Sequence, residues 1–206
     1  AAANVVACDL GRVRWTDAAG EGGNRHFMNC LGAGFDAHAA ALAAQTKWLG
    51  GQAAYLVAVV RTLWLWRRPR VRAHVRELVE AGREAGRDGF DLDGPLFLCE
   101  FGNGHSVGGG FLLTPDAVPT DGLLDVCHVR HISTRRALRL LPKSLTGEHV
   151  SAPEVTMSRT TGVGLSVLEG GLPLQADGEI LTYDAVEVEV EVEPAALPVR
   201  VGKMTR

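Results

Sequence analysis

The segment AVEVEVEVEP, residues 185–194, constrains the fold more than any other stretch of this chain. Valine and glutamate alternate through it without interruption. A period of two puts the valines on one face of a β-strand and the glutamates on the other, whereas a helix would mix them. β-branched side chains also favour strands. The segment therefore predicts an antiparallel strand with one buried face and one face in water.

Short apolar runs separated by turn signals fill most of the remaining sequence. Residues 4–33 predict strands, and residues 36–66 predict two helices, with Asp36 as N-cap of the first. Later strands are interrupted by one amphipathic helix that starts at a Ser133 cap. Regularly spaced short strands are typical of antiparallel sandwiches and barrels. We expect a mainly β protein: an antiparallel β-sandwich with a few helices in a single domain over residues 1–206.

Composition and cysteine spacing argue against a nucleic-acid-binding protein and against a disulfide or metal site. A net charge of −3 gives no basic footprint for nucleic acid, so we expect no nucleic-acid partner. There is no C-x-x-C pair, and each cysteine lies in an apolar stretch, which favours buried, reduced thiols over a disulfide or metal site. No basic segment followed by an apolar run is present at the start. We expect a cytoplasmic protein with four free cysteines: Cys8, Cys30, Cys99 and Cys127.

The pentapeptide GHSVG, residues 104–108, fits the G-x-S-x-G elbow of serine hydrolases and makes Ser106 a candidate nucleophile. In that fold a helix follows the serine. Here the sequence continues GGGFLLTPDAVPTDG, whose glycines and prolines disfavour a helix. The chain also lacks the strand–helix alternation of a parallel sheet. We expect a glycine-rich connection, and a serine hydrolase stays a weaker alternative.

Four blocks in order resemble the C-terminal domain of the diacylglycerol kinase-like lipid kinases, which include bacterial lipid kinases and sphingosine kinases. The longest is FGNGHSVGGGFLLTPDAVPTDGLLDV, with its N-G, G-G-G, P-x-A, acidic D-G and L-D-V. The others are GAGFDAHAA (32–40), LTGEH (145–149) and LQADGEI (174–180). The more distantly related NAD kinases share a similar two-domain plan, so a soluble nucleotide substrate stays open.

The resemblance implies ATP-dependent phosphorylation of a lipid hydroxyl. Such kinases hold the nucleotide in an N-terminal α/β domain with a G-G-D-G-T segment, and the sequence contains neither that segment nor a P-loop. We therefore expect residues 1–206 to be the substrate-binding domain, inactive alone, of a kinase whose nucleotide-binding domain is absent from this chain. A non-catalytic lipid-binding sandwich is the alternative.

The resemblance also assigns roles to acidic residues. It implies that Glu179 accepts the hydroxyl proton and that Asp177 orients the site or touches metal. On the residues alone, QADGEILTY predicts only a hairpin turn. A Mg²⁺ ion is implied at Asp121 with the carbonyls of Val118 and Leu123, although Thr120 replaces an acid common in the family; a plain turn is the alternative. The implied substrate contacts are Asn103, Gly108, Gly109 and Asp36.

The stretch RTLWLWRRPRVR, residues 61–72, suggests contact with a membrane. Trp64 and Trp66 stand among five arginines, and these residue types favour the interface and anionic head groups. We expect the helix at residues 52–66 and the basic tail that follows it to lie near a lipid entrance on the inner membrane face. A core helix with a solvated basic end is the alternative. The sequence does not identify the lipid, and a homodimer is a further alternative. For His105 and His149 we expect structural hydrogen bonds.

Overall fold

The computed structural model describes residues 4–45, 51–66, 69–78 and 92–202. Within these ranges the strands are β1 (Asn4–Asp17), β2 (Gly22–Phe27), β3 (Cys30–Gly34), β4 (Arg70–Leu78), β5 (Leu92–Gly102), β6 (Leu124–Arg130), β7 (Val155–Glu169), β8 (Leu172–Ala176) and β9 (Glu179–Val201). The helices are α1 (Phe35–Gln45), α2 (Gly51–Leu65), α3 (Thr134–Ser144) and a short 3₁₀ helix (Glu148–Ser151).

All strands pair antiparallel in one sheet with the order β2-β1-β9-β8-β3-β5-β4-β7-β6. Two additional pairings, β9 with β7 and β5 with β6, connect strands that are distant in this order. The sheet therefore curls back on itself as a barrel-like sandwich, which leaves fewer free edges. The prediction of a mainly β antiparallel sandwich with a few helices is confirmed.

The alternating segment forms the middle of β9, as its period predicts. Val190 is buried in the core, whereas the glutamates on either side face the neighbouring strand β1. There, Arg12 lies 2.7 Å from Glu191, and Arg14 lies 2.7 Å from Glu189. Opposite charges across a strand pair add modest stability and hold the register.

Two apolar layers result from this arrangement. The curled sheet encloses the main core, which includes Val13, Leu31, Phe101, Leu165 and Leu174. A second layer lies between the outer face of the sheet and the helices, and it includes Val59, Leu63, Phe97, Ile132 and Leu140. The helices therefore cover one face of the sheet rather than forming a domain of their own.

Two predictions concerned the first residues of helices, at Ser133 and Asp36. Ser133 is the N-cap of α3, and its hydroxyl accepts the backbone N–H of Arg136 at 3.3 Å, as predicted. The prediction for Asp36 is wrong, because α1 begins one residue earlier, at Phe35, after Gly34 turns the chain with φ of +97°. Asp36 therefore lies within the first turn, where its side chain is buried.

The cysteines and the helices can be compared with simple criteria. All four cysteines are buried and reduced, as predicted. None of the described helices is both long and apolar enough to cross a membrane.

Candidate functional site

The D-G-E segment makes the tight turn between β8 and β9. Asp177 and Gly178 both have positive φ, 49° and 85°. A two-residue hairpin loop with both residues in this region matches the right-handed twist of the strands, and Asp-Gly is a preferred pair for it. The hairpin turn predicted from the residues alone is therefore present, and Glu179 is the first residue after it.

The carboxylate of Asp177 holds the adjacent turn between β2 and β3. It accepts the backbone N–H groups of Met28, Asn29 and Cys30 at 2.8, 2.9 and 3.0 Å. A carboxylate with three main-chain donors is a strong local clamp, because hydrogen bonds to a charged group are the stronger ones. Asp177 therefore fixes the two turns to each other, and its implied role in orienting the catalytic site stays a prediction.

Glu179 lies at the surface beside the same turns. Its side chain is 66% exposed and forms an ion pair with Arg25 of β2. An exposed carboxylate is accessible to a substrate and to a phosphate donor, and the neighbouring guanidinium supplies positive charge. Its role as proton acceptor stays a prediction.

The three consecutive glycines form a small loop that positions apolar residues. Val107 and Phe111 exchange backbone hydrogen bonds of 2.8 and 2.9 Å, and the glycines between them all have positive φ. Only glycine adopts that conformation without strain. Both Val107 and Phe111 are buried, so the loop directs them inward. Substrate contacts at Gly108 and Gly109 stay a prediction.

The same loop argues against a hydrolase. A turn and a bridge follow Ser106, not a helix. Its carbonyl accepts the side-chain N–H of Asn29 at 2.9 Å. Within the described part of the chain, no histidine is hydrogen-bonded to the Ser106 hydroxyl. Ser106 therefore lacks both the position and the base that a nucleophile needs.

Asn103 is fully buried and joins three chain segments. Its side-chain amide donates to the carbonyls of Asp9 and Met28 at 3.0 and 2.7 Å, and its backbone N–H donates to Asn29. With both amide hydrogens used in this way, the geometry favours a structural role. Direct substrate contact by Asn103 stays an untested prediction.

Asp9 is a residue that sequence reasoning missed. Its buried carboxylate accepts the backbone N–H of Gly122 at 2.8 Å and that of Ala195 at 2.7 Å. It thereby ties the acidic D-G loop to β9. The sequence did contain a signal for this role, namely an acidic residue within a largely apolar strand. A buried carboxylate of this kind needs hydrogen-bond donors inside the protein.

The acidic D-G loop contains the proposed magnesium ligands but is neutralised by an arginine. Arg159 lies 3.2 Å from Asp121 and 3.4 Å from Asp125, and Asp121 also accepts the N–H of Leu123. The carbonyl of Val118 accepts two N–H groups of its own turn. No cluster of three acidic, histidine or cysteine side chains suited to a metal occurs in the described ranges.

As they stand, these residues fit a magnesium ion poorly. Arg159 occupies the place beside Asp121 that a cation would take. The magnesium site at Asp121, Val118 and Leu123 therefore stays a prediction, and no chemical step is assigned to it.

A buried polar cluster lies next to the D-G-E turn. Around the Cα of Gly32, a β-carbon would meet Asp36 Oδ2 at 2.5 Å, Gln175 Nε2 at 2.7 Å and Glu100 Oε2 at 3.1 Å. Only glycine leaves room for these three groups. Glu100 and Gln175 were not predicted from the sequence, although Glu100 stands within the apolar run PLFLCEF.

Glu100 is fully buried, and its carboxyl group interacts with the side chain of Cys30. Burial, together with the nearby charge of Asp36, raises the pKa of Glu100 well above its ordinary value. Desolvation penalises the charged form, and a like charge adds to that penalty. Burial therefore favours the protonated form of Glu100, while Asp36 accepts a hydrogen bond from Gln175 at 2.9 Å.

An apolar cavity lies between the helices and the outer face of the sheet. Its volume is about 80 Å³, and it is lined by residues from all three helices and from β5 and β6. Phe35, Leu63, Val107, Phe111 and Leu140 are among the lining residues. Its polar lining residues, which we call its polar edge, are Asp36, Ser144 and His149. A lining of this composition suits an apolar segment that carries a polar group.

Two hydrogen bonds join the cavity to the D-G-E turn. Gln175 donates to Asp36 at 2.9 Å, and its side-chain carbonyl accepts the N–H of Gly178 at 2.8 Å. Asp36 lines the cavity, and Gly178 precedes Glu179 directly. The proposed base and the polar edge of the cavity thus belong to one connected structure.

His128 and His149 are buried. His149 Nε2 lies 3.3 Å from the carbonyl of Leu113, and burial lowers the pKa of His149. Burial also lowers the pKa of His128, to about 4. Both are therefore neutral near pH 7. The predicted structural role of His149 agrees with its contacts, and His105 is exposed.

The tryptophan- and arginine-rich stretch divides between the interior and the surface. Trp66 packs edge-on against Phe35, with ring centroids 6.4 Å apart, so it faces inward, whereas Trp64 is exposed. Arg70 and Arg72 lie close to Asp93. Arg67 and Arg68, which the interpretation also included, lie outside the described residues.

Residues 29–201 match the family described as the YegS C-terminal NAD kinase beta sandwich-like domain. The chain belongs to this family. The match covers all four sequence blocks that suggested a lipid kinase, so the resemblance seen in the sequence is confirmed.

Curated relatives of this YegS-type domain carry the names of lipid kinases. A diacylglycerol kinase of Mycobacterium tuberculosis is 31% identical over 93% of this chain and 56% of that protein. A probable YegS-like lipid kinase of Chromohalobacter salexigens is 32% identical over 76% of this chain and 47% of that protein. The chain thus spans about half the length of these relatives.

Solved structures agree on the fold. The crystal structure of a putative diacylglycerol kinase from Bacillus anthracis superposes with a TM-score of 0.64 at 18% identity, covering 97% of this chain and 57% of that one. At this identity the likeness concerns architecture alone. The YegS-type chain is therefore a lipid kinase family domain with the β-sandwich fold.

Proposed function

We propose that this YegS-type domain binds the lipid substrate, and supplies the proton acceptor, in a kinase that phosphorylates a lipid hydroxyl. One observation supports this most: Gln175 connects Asp36, at the polar edge of the apolar cavity, with Gly178, next to Glu179. An apolar chain in the cavity would leave its hydroxyl at this edge.

In the proposed reaction the lipid hydroxyl oxygen attacks the γ-phosphorus of ATP. The bond from that phosphorus to the bridging oxygen breaks, ADP leaves, and the hydroxyl proton passes to the Glu179 carboxylate. An acceptor positioned in this way contributes about 10²–10⁴-fold to such a reaction. Arg25, paired with Glu179, would orient it.

The parts of the reaction that handle phosphate would lie outside this chain. A kinase needs a cradle for the nucleotide phosphates and cationic groups for the transferred charge. We therefore assign to these residues lipid binding, hydroxyl orientation and proton acceptance, with ATP, and Mg²⁺ as its usual partner ion, held mainly elsewhere. The polar edge at Asp36 would lie beside the hydroxyl and orient it.

The test is transfer of labelled phosphate from ATP to a panel of lipids by the protein from the full open reading frame. The panel contains diacylglycerol, a sphingoid base, phosphatidylglycerol and a polyprenol. We expect label on one class, reduced about 100-fold or more by Glu179→Gln. Glu148→Gln, which changes an exposed glutamate of the 3₁₀ helix, is the matched control.

Two results would contradict the proposal in different ways. Label that persists in Glu179→Gln would remove Glu179 as proton acceptor while leaving a kinase. An absence of label on every lipid would overturn the kinase and favour a non-catalytic lipid-binding sandwich.

A further inference from the structure

The outward face of α2 is apolar although it lies in solvent. Val57, Val60 and Trp64 follow one another at helical spacing and are 46%, 38% and 75% exposed. The opposite face, with Val59 and Leu63, is buried. A helix that is apolar on both faces is normally enclosed, so the outward face lacks a cover within the described residues.

The outward face of α3 is basic. Arg135, Arg139 and Lys143 are exposed and four residues apart, which places them in one row along the helix. None of the three forms an ion pair with another described residue, whereas Arg136 is held by Glu154 at 2.7 Å. Neither α2 nor α3 contains an acidic residue, although the chain as a whole is acidic.

The two helices adjoin where α2 ends and α3 begins. The Thr134 hydroxyl, at the start of α3, donates to the carbonyl of Leu63 near the end of α2 at 3.3 Å. Leu63 and Leu140 also pack in the same apolar layer. We call the combined area the α2–α3 surface, which consists chiefly of Val60, Arg61, Trp64, Arg135, Leu138 and Arg139.

We propose that the α2–α3 surface docks this domain on an anionic lipid bilayer. Tryptophan and aliphatic side chains enter the interfacial region, while arginine and lysine at the same level bind anionic head groups. Exposed apolar and basic side chains together, with no acidic residue among them, are the pattern of helices that lie in a membrane interface, whereas a protein partner would have to supply an acidic surface of its own. Because the surface is basic, an anionic membrane is the partner that complements its charge.

The cavity lies directly behind the α2–α3 surface, so docking would bring it close to the bilayer. The inward faces of the same helices, through Val59, Leu63, Ala137 and Leu140, line the apolar cavity. A lipid leaving the bilayer at the α2–α3 surface would have one helix layer to pass. This route for the lipid rests on the proposed function, but the docking itself requires no phosphate transfer.

The experiment is sedimentation of the 206-residue chain with vesicles of phosphatidylcholine, alone or mixed with phosphatidylglycerol. We expect binding only to the mixed vesicles, and weaker binding as salt increases. Arg139→Gln should lower the binding constant about fivefold and Trp64→Ala about tenfold. The matched controls, Arg200→Gln and Tyr183→Ala, change exposed residues of β9 and should leave binding unchanged.

Three results would overturn the proposal: equal binding to both vesicle types, no binding to either, or unchanged binding in both surface variants. A dimer in the absence of vesicles that Trp64→Ala disperses, measured by light scattering, would instead make the surface a contact between copies. Circular dichroism of each variant checks folding. Because no ATP is used, failure here leaves the kinase proposal standing, and the converse also holds.

Discussion

Asp177 and Cys30 are joined by two hydrogen bonds in opposite directions. The backbone N–H of Asp177 donates to the carbonyl of Cys30 at 3.0 Å, and the backbone N–H of Cys30 donates to the Asp177 carboxylate at 3.0 Å. The β8–β9 turn, which precedes Glu179, is therefore fixed to the turn that leads into β3.

Asp177→Asn should weaken this connection. The amide offers one acceptor oxygen in place of two, and its NH₂ group faces main-chain donors. We expect the free energy of unfolding to fall by about 2–3 kcal/mol, in line with the loss of hydrogen bonds to a charged group. Urea denaturation measures it, and Asp184→Asn at an exposed site is the control. An unchanged midpoint would show that the clamp adds no stability.

Glu100→Gln should change how stability depends on pH. The folded-state pKa of Glu100 is raised, so the folded protein keeps a proton that the unfolded chain releases. Its contribution to stability is therefore complete below the ordinary glutamate value and is lost as pH rises toward the folded value. Within that window the slope is up to about 1.4 kcal/mol per pH unit.

The measurement is the difference in unfolding free energy between the original protein and Glu100→Gln across pH. We expect the original protein to lose stability relative to the variant as pH rises. Glu148→Gln, at an exposed site, should leave the slope unaltered. Parallel curves for the original protein and Glu100→Gln would mean that Glu100 ionises normally in the fold.

Gly32→Ala should disrupt the buried cluster. The added β-carbon would lie 2.5 Å from Asp36 Oδ2 and 2.7 Å from Gln175 Nε2, well inside contact distance. Overpacking of this kind costs about 1–3 kcal/mol. Gly202→Ala, where a β-carbon meets open space, is the matched control. Thermal unfolding of both variants compares them, and equal melting temperatures would contradict the close packing around Gly32.

Arg159→Gln should make the acidic D-G loop responsive to magnesium. Removal of the guanidinium leaves Asp121 and Asp125 without their shared cation and should lower stability by about 1–2 kcal/mol. Mg²⁺ that binds the loop would then raise the melting temperature. We expect a larger magnesium-induced shift in the variant than in the original protein or in Arg200→Gln. Identical shifts would count against a cation site at Asp121.

The sequence by itself determined the class of the fold and the location of the turns. Local patterns carry that information: the valine–glutamate alternation set β9, the Asp-Gly pair set the hairpin before Glu179, and three glycines set the loop between Val107 and Phe111. These features depend on neighbours in the chain, so they can be read without the tertiary structure. The four ordered blocks also identified the family correctly.

Only the tertiary structure decided what the acidic residues do. Asp36 was predicted to cap a helix but turns toward Gln175, and Asp9, Glu100 and Arg159 were not predicted at all. Their partners lie up to 186 positions away in the chain, as for Asp9 and Ala195. A buried charge is controlled by burial and by whichever groups the fold brings to it. These long-range neighbours leave no local pattern in the sequence. The roles of the acidic residues therefore became clear only from the tertiary structure.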